Sequence, residues 1–204
     1  MNYFKIDNLF SQSDLECFIE KINGLVIPTN EYGSYIYDES NNTSISKNLG
    51  RVQSSDLMKD IHTGICEKLI NIASEHLDFD VHLSGITYVE YNRLYGTPNL
   101  PPHFDGDGTD LIINCQLFSN TSWDIGLGTE IYSLDDNSAL LFNPNTSIHW
   151  RPHKDFIDGE YIKMIFVRFC RADGKSDYSH LRYSQDHEIF KEVVAIRDGS
   201  PTGT

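Results

Sequence analysis

The residues best placed to do chemistry stand in "PPHFDGDG", residues 101 to 108. Two prolines hold the backbone extended, and in an extended strand side chains two apart share a face. His103 and Asp105 therefore project together, with Phe104 on the other side. One imidazole and one carboxylate supply two thirds of a 2-His-1-carboxylate set, which leaves open positions on an Fe(II) ion. The third ligand has to be a histidine delivered by a later strand. In "LLFNPNTSIHWRPH" an apolar strand ends at Phe142, a turn occupies 143–146, His149 follows, and His153 stands four residues on. A short turn delivers its ligand as the next strand begins, which selects His149. Pro152 lacks an N–H and tends to end ladder pairing, which puts His153 in the outgoing loop. HxD by itself is weak, since a hydrogen-bonded surface pair beside an Asp-Gly turn looks the same. The ordered set of HxD, strands and a distal histidine is far more specific.

The elements that must position these residues follow from periodicity. Residues 3–6 read as a short strand. "SQSDLECFIEKI" reads as a helix, with Ser13 and Glu16 as a capping box and Leu15, Phe18, Ile19 and Ile22 as its apolar stripe. Residues 28–50 are polar with little pattern, which marks a functional or mobile loop; the alternating Tyr35 and Tyr37 suggest a short hairpin inside it. A second helix is expected over 55–76, with Leu57, Ile61, Ile65, Leu69 and Ile72 or Ala73 facing the core. After His76 the period falls to two. "VHLSGITYVEY", "TDLIINCQLF", "TEIYSL", "SALLFNP" and "YIKMIFVRF" are strands separated by Gly, Asn, Asp and Pro. Helices first and strands later predict an antiparallel sandwich or barrel flanked by helices. The expected organisation is one domain over 1–204, with helical support and a mobile loop in 1–85, the barrel core in 86–170 and a peripheral tail in 171–204.

Composition narrows the partners. The chain has 204 residues, 39% of them apolar, and a formal net charge of −14. That charge repels phosphate backbones and argues against nucleic acid, while a local cationic pocket can still hold a small anion. Cys17, Cys66, Cys115 and Cys170 are far apart and form no CxxC, which disfavours a zinc ribbon. Neither an N-terminal apolar segment nor a long apolar run occurs, so the expectation is a cytoplasmic protein with no membrane span. Asp107 and Asp110 lack the spacing of a calcium loop and read as solvated turn residues. His62, His76, His82, His180 and His187 have no partner pattern.

From Thr87 to Phe169 the chain resembles the catalytic core of the 2-oxoglutarate- and Fe(II)-dependent oxygenases, most of all the prolyl-4-hydroxylase branch. The resemblance is carried by "YVEYNRLYGTPNLPPHFD", by "NCQLFSN" followed by "SWDIGLGTEIY", by "SALLFNP" and by "GEYIKMIFVRF". It implies a mainly β fold with flanking helices, a double-stranded β-helix or cupin-like jelly roll. It implies Fe(II) on His103, Asp105 and His149, with 2-oxoglutarate and O2 as cosubstrates. It also implies a basic side chain on the last core strand for the far carboxylate of 2-oxoglutarate. Lys163 is the match, with Arg168 as the other candidate, and an ammonium in a partly desolvated pocket pairs strongly with a carboxylate. Tyr91 and Asn114 take the positions of further cosubstrate contacts.

The activity implied is hydroxylation of an unactivated C–H of a small molecule, amino acid or peptidyl residue, with release of succinate and CO2. An aspartate in the HxD argues against halogenation, since halogenating relatives leave that position open. Tyr32, Tyr35, Tyr37 and Trp150 are candidates to line the substrate pocket. The readings from other classes are a non-catalytic cupin-like binding protein and a metal-dependent barrel enzyme that does not use 2-oxoglutarate.

Overall fold

The computed structural model describes residues 3–26, 35–38, 42–55, 61–77, 79–105, 108–174 and 188–199. Tyr32, Asp107, His180, His187 and the 56–60 part of the expected second helix lie outside them.

The chain starts with β1 (Phe4–Ile6) and α1 (Gln12–Asn23). The capping box sits two residues earlier than the sequence pattern indicates. Ser11 Oγ accepts from the Asp14 backbone N–H at 3.2 Å, and the Asp14 carboxylate accepts from the Ser11 N–H at 3.0 Å. Both Ser11/Asp14 and Ser13/Glu16 satisfy the spacing, and the phase of the buried side chains decides between them. Phe18 and Ile22 are buried, Leu15 packs beside them, and Ile19 stays 40% exposed. Two antiparallel pairs follow, β2 (Tyr35–Asp38) with β3 (Thr43–Ser46) and β3 with β4 (Arg51–Ser54). The expected hairpin is thus part of a ribbon joined to the main sheet. Helix α2 covers only Thr63–Glu75, because the His62 ring caps it by accepting from the Gly64 N–H at 3.1 Å. Ile61, expected on the helix, is buried just before it.

The remaining strands are β5 (Val81–Asn92), β6 (Leu111–Ser119), β7 (Ile125–Leu127), β8 (Glu130–Tyr132), β9 (Ser138–Phe142), β10 (His149–Trp150) and β11 (Tyr161–Arg171). They build an eight-stranded sheet in the order β1-β9-β6-β11-β5-β4-β3-β2 and a three-stranded sheet in the order β10-β7-β8. Every pairing in them is antiparallel. An isolated bridge between His103 and His149 extends the small sheet by one more segment. This two-sheet arrangement is a double-stranded β-helix.

Alternation along the large sheet creates two cores. Ile86, Tyr88, Ile113, Cys115, Ile165, Val167 and Phe169 pack on Phe18, Ile65, Leu69 and Ala73 of the two helices. Val89, Tyr91, Ile112, Ile162 and Met164 face the small sheet and meet Trp123, Ile125, Leu127 and Phe142. Each fully buried side chain of this kind contributes roughly 1.5–3 kcal/mol, so both faces of β5, β6 and β11 are held. The tail is more than peripheral. Helix α3 (Glu188–Arg197) buries Val193 against Ile148 and Trp150, and Arg197 Nε donates to the Arg151 carbonyl at 3.2 Å. The four cysteines are all free thiols. No helix among the described residues is long and apolar enough to cross a membrane.

Candidate metal centre

Three backbone contacts bring the HxD stretch and the distal histidine together. The His103 N–H donates to the His149 carbonyl at 3.1 Å, and the His149 N–H returns to the His103 carbonyl at 3.0 Å. The Asp105 N–H donates to the Pro144 carbonyl at 3.0 Å. These bonds tie an edge segment across 46 residues of sequence, and they form because β9 ends in a tight turn. Asn143 Oδ1 accepts from the Asn145 N–H at 2.9 Å and holds that turn.

The side chains then converge. His103 Nε2 lies 3.6 Å and His149 Nε2 lies 3.5 Å from the same oxygen, Asp105 Oδ1. All three donor atoms fall within 4.8 Å of one another. Metal–ligand bonds of about 2.1 Å at right angles place donors roughly 3 Å apart, so this spacing suits a facial set on one ion. The tautomers suit it too. His103 Nδ1 stands 2.7 Å from the Pro101 carbonyl and His149 Nδ1 stands 3.1 Å from the Ser147 carbonyl. A carbonyl only accepts, so each Nδ1 carries the proton and each Nε2 presents a lone pair inward. Burial and the neighbouring His149 hold His103 below the usual histidine range, against the Pro101 contact. Burial alone would raise Asp105, but the neighbouring His149, with His103 and Arg168, holds it below the usual carboxylate range. Both groups are thereby in their metal-binding forms at neutral pH.

A cavity of about 370 Å³ opens beside this triad. Its wall includes Tyr91 and Asn114, the two further cosubstrate candidates, and the guanidinium-bearing residues Arg51, Arg151 and Arg168. Asn114 Oδ1 is buried without a partner. Lys163 is not part of this wall. Its neighbours Ile162 and Met164 face the cavity side, whereas Lys163 shares the helix-side face with Ile165 and Val167. Its ammonium lies 5.1 Å from the Tyr161 ring centre. Lys163, expected as the cosubstrate cation, thus stands outside the cavity wall. β11 is apolar on both faces, so its sequence carries no phase signal, and a bulge between Lys163 and Met164 shifts the pairing with β6. Arg168, on the cavity face, donates to Thr87 Oγ1 at 2.9 Å. His153 is separate from the triad and pairs with Asp198 at 3.4 Å. Trp150 borders the cavity, and its indole donates to the Gly128 carbonyl at 3.0 Å.

Sequence reasoning missed Arg151 and Arg51. Arg151 is 3% exposed, lies 4.7 Å from the Trp123 ring centre, and donates to the Trp123 carbonyl and, at 3.1 Å, to Met164 Sδ. No carboxylate pairs with it among the described residues. Burial pushes its guanidinium down to about 10, which leaves it charged at neutral pH. The signal was available: Arg151 stands two residues after His149, so the alternation that unites His103 and Asp105 also unites His149 and Arg151. Arg51 had no such signal, because it lies next to the patternless 28–50 segment.

No protein-family model matches the sequence, and no curated protein matches it. Solved structures do. A prolyl hydroxylase from Trichoplax adhaerens, in complex with a hypoxia inducible factor oxygen degradation domain peptide fragment, is 14% identical over 86% of this chain and 87% of its own, with a TM-score of 0.56. A prolyl 4-hydroxylase from Phytophthora capsici is 13% identical over 95% of this chain and 70% of its own, with a TM-score of 0.58. HygX from Streptomyces hygroscopicus, with nickel, 2-oxoglutarate and hygromycin B bound, is 10% identical over 89% and 90%, with a TM-score of 0.58. At these identities the likeness is one of fold. The fold is the double-stranded β-helix of the 2-oxoglutarate/Fe(II) oxygenases, prolyl hydroxylases among them.

Proposed function

We propose that this protein is an Fe(II)- and 2-oxoglutarate-dependent oxygenase that hydroxylates an unactivated C–H. The observation that carries the reading is the convergence of His103 Nε2, His149 Nε2 and Asp105 Oδ1 beside a cavity holding a buried guanidinium that pairs with no carboxylate among the described residues. His103, Asp105 and His149 would hold the iron. With 2-oxoglutarate and O2, the bound ion supplies oxidative decarboxylation to succinate and CO2 coupled to insertion of one oxygen atom into the substrate C–H.

Arg151 is the candidate anchor for the far carboxylate of 2-oxoglutarate. Two residues of strand advance about 6.6 Å, so Arg151 and His149 face the same cavity at a separation suited to a five-carbon diacid. On the last core strand, where the resemblance leads one to expect the cation, the cavity face carries Ile162, Met164 and Arg168, and Arg168 is hydrogen-bonded to Thr87. The Arg151 guanidinium reaches Met164 from the opposite sheet. Three of its five N–H groups remain for a carboxylate, and a planar fork suits one bidentately. Asn114 offers a carboxamide on the same wall. Ile112, Ile125 and Phe142 shield the cavity from water.

The test is anaerobic addition of Fe(II) and 2-oxoglutarate to the metal-free protein. A visible charge-transfer band is expected, absent in His103→Ala and Asp105→Ala, with succinate formed once O2 is admitted. If the wild type shows neither the band nor succinate, the reading fails.

A further inference from the structure

With Arg151 committed to the cosubstrate, Arg51 and Arg168 are left as cations on the same cavity wall, Arg168 held by Thr87. Arg51 opens β4, and its ladder partner on β5 is Tyr91. Its Nε is buried with no partner, and its Nη1 reaches the Tyr91 hydroxyl only at 3.4 Å. No carboxylate pairs with Arg51 among the described residues. Its backbone is pinned by Gly50, which has φ 58° and approaches Pro98 so closely that an added Cβ would fall 2.3 Å from the Pro98 nitrogen. Arg51 is therefore a located group, held on the wall that also carries His103.

The charges do not balance without a further anion. Among the described residues the only carboxylate on the cavity wall is Asp105, which the metal uses. A divalent ion, Asp105 and the guanidiniums of Arg51, Arg151 and Arg168 leave four positive charges net on the wall, and the dianionic cosubstrate cancels two of them. Of the remaining two, one belongs to Arg168, which is hydrogen-bonded to Thr87, and the other sits at Arg51, in a molecule whose formal charge is −14. A buried guanidinium nitrogen without an acceptor is costly, and a ligand carboxylate supplies the acceptor together with the missing charge.

We propose that the primary substrate of this site is a small molecule carrying a carboxylate, received by Arg51 beside the Tyr91 hydroxyl. This rests on the oxygenase reading above. A planar carboxylate matches one guanidinium fork bidentately. The net negative surface excludes polyanions that would compete for the same cations.

The experiment uses the whole chain loaded with Zn(II), which binds the same ligands without redox chemistry, and saturating 2-oxoglutarate. Common free L-amino acids, short 2-hydroxy acids and the primary amides of both sets are screened by ligand-observed NMR. The fluorescence of Trp150 and Trp123 provides the affinity readout. At least one acid should bind, and its amide should bind more weakly. Arg51→Gln should weaken the acid by about tenfold to a hundredfold and bring acid and amide level, with Arg51→Lys intermediate. The 2-oxoglutarate Kd should change by no more than about twofold in Arg51→Gln, whereas Arg151→Gln should lose it. Amides binding as well as acids, no acid binding while 2-oxoglutarate does, or Arg51→Gln impairing 2-oxoglutarate as much as Arg151→Gln would each overturn the proposal. Failure of 2-oxoglutarate to bind the Zn(II)-loaded wild type would instead remove the oxygenase reading, and this inference with it.

Discussion

A guanidinium enclosed by Trp123, Tyr91 and Met164, with no carboxylate in contact among the described residues, weakens the empty protein and strengthens the liganded one. Removing the charge should separate the two effects. Arg151→Met keeps the volume and relieves an uncompensated buried cation, so the ligand-free melting temperature should stay level or rise. The same variant should bind 2-oxoglutarate at least about a hundredfold more weakly. In the Zn(II)-loaded wild type, 2-oxoglutarate at about 100 times its Kd should raise Tm by roughly 5–10 °C, and Arg151→Met should lose that shift. Calorimetry with and without ligand checks both. The imidazole of His103 adds a pH dependence. Its folded pKa lies below the unfolded value because burial and His149 disfavour the cation. The unfolded chain therefore takes the proton first, and metal-free stability should fall as pH drops below about 6.5. Asp105, also lowered, acts in the same direction in a more acidic window. Urea midpoints between pH 5 and 8 should show the first loss in the wild type and a flatter limb in His103→Gln.

Among the elements, the two-residue β10 carries the distal histidine, so what holds that strand holds the metal. Trp150 and Gly126 are ladder partners, and a Cβ on Gly126 would come within 2.0 Å of the Trp150 indole. Gly126→Ala should cost about 1–3 kcal/mol through overpacking. It should also weaken metal binding, because displacing Trp150 moves His149 beside it; Gly85→Ala, with nothing within 4 Å of its added Cβ, is the control. Metal titration with denaturant melts of both variants would show it, and equal metal affinities would contradict the coupling. Strand β11 makes the converse point. Lys163→Ala should leave 2-oxoglutarate affinity within about twofold of wild type, because its ammonium lies on the Tyr161 side and outside the cavity wall. A large loss would put Lys163 back in the cosubstrate site.

For the whole molecule, fold and site are separable. The ligands His103, Asp105 and His149 sit at the mouth, while the two large apolar clusters lie on either face of the eight-stranded sheet and contain none of them. Chelation should therefore leave the far-ultraviolet circular dichroism unchanged and the melt cooperative, with Tm lowered only by the lost binding energy. A chelator-treated protein without a cooperative transition would show that the metal centre is part of the core. The tail belongs to this scale as well, since α3 covers Ile148 and Trp150 and reaches the Arg151 carbonyl.

Local spacing alone determined much of this protein. Alternation in "HFD" set His103 and Asp105 on one face, the turn after Phe142 placed His149 at the start of a strand, and the long two-periodic strands defined the barrel class. These are short-range consequences of backbone geometry, legible wherever polar and apolar residues contrast. Where the contrast vanishes, only tertiary structure decided. β11 has apolar residues on both faces, so whether Lys163 or its neighbours faced the cavity depended on which sheet face met the helices. Arg51 and Arg151 lie 100 residues apart in sequence and share one cavity because β4 pairs with β5 while β10 pairs with β7. Within the polar tail, Glu188–Arg197 form a packed helix because Val193 found Ile148 and Trp150. A charge in a cavity is defined by what surrounds it, and those surroundings are assembled from strands that meet only when the barrel closes.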